Sequence, residues 1–200
     1  MPRGRYQQKQ WEDRQAAILD VLERLSMERG FAAVTMDDVA NEVGISKATL
    51  YQHFDSKDAM LIELLGQHED NFIEWLKETA EQPPLERLRK TMLYLMEGHV
   101  SPLRGLVSLG PDDVLPVFYS SDDLVARHKE IIDSLTAIIE AGQAQGQIAL
   151  DLAPHAVIGA MMALSNVSMG SRSFIPQYHH AEQMVLMFER AIRPVGKEDV

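Results

Sequence analysis

The sequence predicts an all-α protein in which a three-helix N-terminal domain with a helix-turn-helix is followed by a larger helical domain. Apolar residues recur at the i, i+3, i+4 spacing of helices, no run alternates with the period of a strand, and clusters of Gly and Pro separate the periodic stretches. With 200 residues, 46% of them hydrophobic, the chain can bury one large core or two smaller ones.

The first helix covers roughly residues 12–29, where Ile18, Leu22 and Leu25 lie on one stripe and Gly30 is suited to a left-handed C-terminal cap. Thr35 stands as an N-cap with Asp38 three residues on, close to a capping box, and Met36, Val39, Ala40 and Val43 form the buried stripe of a short second helix. Gly44 ends it, Ile45 is an apolar plug and Ser46 caps a third helix whose only apolar anchors are Leu50 and Phe54. Asp55 and Ser56 cap a fourth helix that runs through Leu61, Leu65, Phe72 and Trp75. Pro83-Pro84 marks a new start, and a fifth helix is expected over roughly 84–99. Residues 100–121, broken by Pro102, Gly105, Gly110, Pro111 and Pro116, predict only short helical pieces. A long helix follows from Asp122 to the GQAQGQ stretch, Pro154 opens another, and the last begins near Ala181. The expected division is a flexible N-terminal arm over 1–11, a helix-turn-helix domain over 12–57 and a helical domain over 58–200.

Composition excludes several classes. The chain has no cysteine, which removes disulfides, zinc ribbons and thiol catalysis. No stretch approaches the ~20 apolar residues of a membrane helix, and the polar start lacks the apolar middle of a secretory signal. A soluble cytoplasmic protein without a membrane partner is the expectation. No nucleophile lies at motif spacing from a base, and no Gly-rich phosphate loop occurs. Paired His-x-x-x-His ligands are absent too, so neither an enzyme, a cofactor nor a metal is expected. The formal charge is -11, but it is uneven: residues 1–60 hold eight basic and ten acidic residues, whereas residues 61–200 hold eleven and twenty. Any case for nucleic acid therefore rests on local chemistry.

Two short helices joined by a Gly-containing turn form a helix-turn-helix, whose second helix enters the major groove. Anchoring by Leu50 and Phe54 turns Lys47, Ala48, Thr49, Tyr51, Gln52 and His53 mostly outward. Lys47 suits phosphate or guanine, Thr49 and Tyr51 suit phosphate oxygens, Gln52 can read a base edge, and Ala48 permits close approach to a thymine methyl. For His53 a partly buried structural role competes with a phosphate contact. The helix starts near Thr35 and Lys57 add phosphate-binding amides. At the front, Pro-Arg-Gly-Arg offers Arg3 and Arg5 to a narrow minor groove, against the alternative of a solvated terminus.

Residues 18–65 resemble the DNA-binding domain of the tetracycline-repressor (TetR) family. The resemblance is carried by Phe31, Thr35, Asp38-Val39-Ala40, Val43-Gly44-Ile45-Ser46, Thr49-Leu50-Tyr51, His53-Phe54, Lys57 and Leu61, about a quarter of the chain in one register. Glu42 departs from the alanine common before Val43, and Gln52 fills a variable slot. The resemblance implies phosphate contacts from Thr35, Thr49, Tyr51, His53 and Lys57, and base contacts from Lys47, Ala48 and Gln52. It also implies that the remaining helices bind a small effector and dimerise.

The residues of that region are consistent with this. The AVIGAMMALSNVSM run at 156–169 is apolar nearly all round and rich in small residues, as suits a helix buried on two sides; with the last helix it predicts a homodimer interface. Candidate pocket residues are Met92, Met96, His99, Phe118, Tyr119, His128, Met161, Met162, Phe174 and Tyr178, with plain core packing the alternative for each. The resulting expectation is a dimeric repressor that binds a palindromic double-stranded DNA operator and is released by a small apolar or aromatic ligand. A DNA-bound recruiter of protein partners and a helical small-molecule carrier are the rivals.

Overall fold

The computed structural model describes residues 2–96, 111–167 and 180–194. The described residues form helices and connecting turns, in keeping with the all-α expectation: α1 (Pro2–Arg29), a 3-10 turn (Phe31–Ala33), α2 (Met36–Val43), α3 (Lys47–His53), α4 (Lys57–Glu78), α5 (Pro84–Met96), α6 (Pro111–Tyr119), α7 (Asp122–Ala144), α8 (Pro154–Val167) and α9 (His180–Ile192). The chain divides into two compact units, Met1–Gln67 with Gly105–Val125, and His68–Arg104 with Ala126–Val200.

In the first unit, Ile18, Leu19, Leu22 and Leu25 of α1 are buried together with Val39 and Ala40 of α2, Leu50 and Phe54 at α3, and Met60, Leu61, Leu64 and Leu65 of α4. The α2–α3 corner follows from its sequence. Thr35 Oγ1 accepts from the Asp38 N–H (3.2 Å) while the Asp38 carboxylate accepts from the Thr35 N–H (2.9 Å), which completes a capping box with Asp in place of the usual Glu or Gln. The Thr35 hydroxyl and then the Thr35 N–H hold the Asp38 carboxyl below the usual carboxylate range. At the other end Gly44 sits at φ 77°, and the Ile45 N–H reaches the Ala40 carbonyl at 3.0 Å, so the chain reverses within two residues.

Two features differ from expectation. The expected flexible N-terminal arm is helical over its described residues: α1 begins at Pro2 and runs through residues 2–11. No breaker follows Gly4, Gln8 donates to Glu12 one turn on at 2.8 Å, and proline is tolerated in a first helical turn. The second is α6. Its Val114, Val117 and Phe118, at i, i+3, i+4, are buried in the core of the first unit rather than in the larger helical unit.

The second unit buries Phe72 and Leu76 of α4, Leu88, Met92 and Leu95 of α5, Ile131, Leu135 and Ile138 of α7, Met161 of α8 and Phe188 of α9. Gln143 and Gln147 act as polar locks. Gln143 Nε2 donates to the carbonyls of Ala149 (2.9 Å) and Leu152 (2.8 Å), and Gln147 Oε1 accepts from the Leu85 N–H at the start of α5 (3.1 Å). Within this unit Glu69 is fully buried, and its carboxylate lies 3.5 Å from His128 Nδ1, at the outer limit of a hydrogen bond. Burial dominates and pushes the Glu69 carboxyl above the usual carboxylate range, although His128 pulls the other way.

Two outcomes follow for stability. At Gly44 an added Cβ meets no atom within 4 Å, so Gly44→Ala tests backbone conformation alone; we expect a loss of about 1–2 kcal/mol in urea unfolding, and a smaller loss for Gly44→Asn. A carboxyl whose pKa is raised on folding contributes stability below its unfolded value of about 4.3 that is lost as pH rises through the folded value. Glu69→Gln is therefore expected to raise the melting temperature at pH 8 and to change it little at pH 4; equal effects at both pH values would contradict this.

Candidate nucleic-acid interface

A helix of seven residues has no stability of its own, so what orients α3 is its caps and its buried face. Ser46 Oγ accepts from the Thr49 N–H at 3.0 Å and lies 2.8 Å from the Thr49 hydroxyl; at the other end the Phe54 N–H donates to the Leu50 carbonyl at 3.0 Å. Leu50 is fully buried and Phe54 nearly so. The opposite face, Lys47, Ala48, Tyr51 and Gln52, is exposed, with Tyr51 44% accessible. These four side chains lie at i, i+1, i+4, i+5 and form one contiguous strip.

Lys47 already has a partner. Its ammonium lies 2.8 and 3.0 Å from the two carboxylate oxygens of Asp37 on α2, and that contact holds its pKa above the usual lysine range. Both groups are exposed. Asp37 was not foreseen from the sequence, although an acidic residue in the first turn of a helix is a visible signal.

The other expected contacts are arranged differently. The Thr35 hydroxyl closes the α2 capping box and lies at the exposed helix start. His53 is turned away from the strip. Its ring stacks on Trp11 of α1 at 3.7 Å between centroids, both ring nitrogens are buried without a hydrogen-bond partner, and burial and then Arg14 push its pKa down. A neutral stacked imidazole is a packing group, which favours the structural alternative for His53. Lys57 is turned inward onto backbone carbonyls of the α1–α2 connection. Trp11, the partner of His53, fell at the edge of the expected arm; its register with Ile18 along one helix face is the signal that places it. Arg5 is exposed on the first turns of α1, while the Arg3 side chain lies outside the described residues.

The expected pocket residues separate. Met92, Met96 and Met161 are buried in the second unit, Met162 is partly buried against the same cluster, and His128 stands beside Glu69. Phe118 is buried in the core of the first unit and Tyr119 is 67% exposed. His99, Phe174 and Tyr178 lie outside the described residues. A groove of ≈ 680 Å³ in the second unit is bordered by Pro83, Arg89, Glu189 and Arg193, and none of the candidate pocket residues lines it. Among the described residues no group of His, Asp or Glu is arranged to hold a metal ion, and no helix is long and apolar enough to cross a membrane.

Comparison with known proteins locates this arrangement. Residues 18–64 match the family model described as bacterial regulatory proteins, tetR family. The HTH-type transcriptional regulator EthR of Mycolicibacterium smegmatis is 43% identical over 65 residues, 32% of this chain and 30% of the relative. The chain spans about a third of the length of the curated relatives it matches in this region. The ketosteroid transcriptional regulator KstR2 of Mycobacterium tuberculosis has the same fold, with a TM-score of 0.74 at 22% identity over 91% of this chain and 96% of that one. AibR, solved in complex with isovaleryl coenzyme A and operator DNA, gives 0.68 at 22% identity over 92% and 100%. The matched segment is the one whose caps, buried anchors and exposed strip are described above, and over this N-terminal head the chain is similar to the tetR family of bacterial regulatory proteins.

Proposed function

We propose that the protein is a dimeric, ligand-controlled DNA-binding regulator of transcription, most simply a repressor released from a palindromic operator by a small effector. The observation that carries this reading is the exposed strip Lys47, Ala48, Tyr51 and Gln52 on a helix whose other face is buried and whose ends are capped. Gln52 presents the amide that reads an adenine edge, Ala48 allows backbone approach, and Lys47 and Tyr51 supply donors to phosphate or guanine. Arg5 and Lys9, exposed on the first turns of α1 with no acidic residue before Glu12, add cationic charge as parts of a helix.

Dimerisation is proposed through α8 and α9. On α8, Ala156, Gly159, Ala160 and Ala163 are exposed, a face of small residues that permits close helix approach; on α9, Leu186 and Met187 are 38% and 61% exposed. A two-fold axis there would set two recognition helices about one DNA turn apart, ~34 Å. The effector is proposed to be largely apolar and to be taken up by the second unit near Met92, Met96, Met161 and Met162, whose unbranched side chains re-pack around irregular shapes. AibR was solved with isovaleryl coenzyme A, of which only the isovaleryl group is apolar in the way such a site would suit. Release requires only that the effector bind the non-operator conformation more tightly than the operator-binding one.

Selection of duplexes from a random-sequence pool tests the DNA reading. On the selected duplex, Tyr51→Ala is expected to weaken binding while leaving the log–log salt slope near that of wild type, because a neutral hydroxyl displaces no counterion. Gln52→Ala is expected to relax preference at one base pair by about 1–3 kcal/mol. Absence of any selected sequence sinks the proposal. For the interface, Met187→Glu is expected to give a monomer by analytical ultracentrifugation and to abolish tight operator binding together with dimerisation.

A further inference from the structure

Lys57 is the residue whose structural environment departs furthest from its apparent role as a surface cation. Its Nζ lies 2.8 Å from the Phe31 carbonyl oxygen, 2.9 Å from that of Val34 and 3.4 Å from that of Ala32, and 4.2 Å above the centre of the Phe31 ring. An ammonium has three N–H donors, and these carbonyls take all three. The carbonyls belong to the 3-10 turn between α1 and α2 and to its C-cap Val34, where the last C=O groups have few partners within so short a turn. Phe31 is itself buried, so the ring beneath the ammonium is fixed.

The position of this contact in the chain matters more than its strength. Val34 immediately precedes Thr35, the N-cap of α2; Lys57 begins α4 three residues after Phe54, the C-cap of α3. The helix-turn-helix, residues 35–53, is therefore stapled end to end by one side chain. We infer that Lys57 is a positioning residue for DNA reading, which closes the helix-turn-helix into a ring by clamping the chain before α2 to the chain after α3, and that it does not contact phosphate. This rests on the DNA-binding reading of the head. Without the clamp the start of α2 and the end of α3 are joined only through Gly44 and the packing of short helices, and the angle at which the α3 strip meets the groove loosens. Sequence preference, which needs side chains held to a fraction of an ångström, suffers before general affinity for DNA does.

The test uses the full chain, a duplex selected by the wild-type protein from a random pool, and a random-sequence duplex of the same length. Lys57→Met and Lys57→Arg are measured at a temperature where circular dichroism reports each fully helical. For Lys57→Met we expect affinity for the selected duplex to fall ~10-fold or more, affinity for the random duplex to change less than ~2-fold, and the salt slope on both to stay that of wild type. Lys57→Arg is expected to fail to restore selectivity, because a planar guanidinium cannot direct three donors at three converging carbonyls. A slope shallower by about 0.9 with equal decreases in affinity on both duplexes, or full rescue by arginine, makes Lys57 a phosphate contact and overturns the inference. Unchanged selectivity in both variants overturns it as well. If the wild-type chain selects no duplex, it is the DNA-binding reading that fails, a result distinct from either.

Discussion

The burial of Leu50 and Phe54 is the contact on which the head depends. α3 is too short to persist alone, and it carries no other buried side chain to hold it on the core. Those two anchors belong to a single cluster with residues from α1, the 3-10 turn, α2, α4, α6 and α7, so the orientation of the exposed strip is determined by apolar packing contributed by several segments. The deep inward residues of α1 and α4 are large and aliphatic, which gives a surface into which a Leu and a Phe can lock without leaving space to shift. What the strip can read is thus a property of the core beneath it.

Polar groups in the head divide between those engaged internally and those left for a partner. Thr35 and Asp38 cap α2, Ser46 caps α3, Lys57 holds the 3-10 turn, and His53 is covered by Trp11. Arg24 bridges Glu28 and Glu42, which gives the unusual acidic residue at position 42 a place in the α1–α2 contact. That bridge is exposed, and its contribution is to alignment more than to stability. Once these are subtracted, Ala48, Tyr51 and Gln52 remain beside Lys47, itself held by Asp37, a smaller set than the outward face of a helical wheel. Each internal contact removes a possible partner for DNA and adds stiffness to the frame that presents the others.

The helix boundaries and the turn at Gly44 were legible because each has a local chemical cause: a capping hydroxyl, a left-handed glycine, a proline at a helix start. The i, i+4 pair Leu50 and Phe54 identified the buried face of α3 for the same reason. The inward turn of Lys57 was not legible, since its partners lie 23 to 26 residues away and are backbone atoms without a sequence signature. α6 was expected only as a short helical piece because Pro and Gly around residues 100–121 mask its amphipathic stripe, and periodicity says which side is buried without saying against what. The helical start of α1 was hidden by a charged, polar composition that reads equally well as a solvated terminus; the stack of Trp11 on His53 is a tertiary contact that no spacing rule supplies. Residues brought together by the chain over long separations are where such reading ends.

If the head reads DNA as proposed, electrostatics account for how an acidic chain selects among duplexes. With a formal charge of -11 the protein gains little from long-range attraction to DNA, so weak, indiscriminate binding is suppressed. At short range the Lys47–Asp37 pair adds a second filter. Both members are exposed, so the pair itself contributes little stability, and releasing the ammonium to a phosphate or a guanine costs little. Once Lys47 leaves, however, the Asp37 carboxylate faces the same negative backbone, and only a geometry that satisfies Lys47 and keeps Asp37 away from phosphate is favourable. A misplaced register would leave Lys47 unsatisfied and incur the Asp37 repulsion together. In the proposed DNA-binding role Asp37 would thus lower affinity for every sequence and lower it least for the correct one, the manner in which a repulsive group produces specificity.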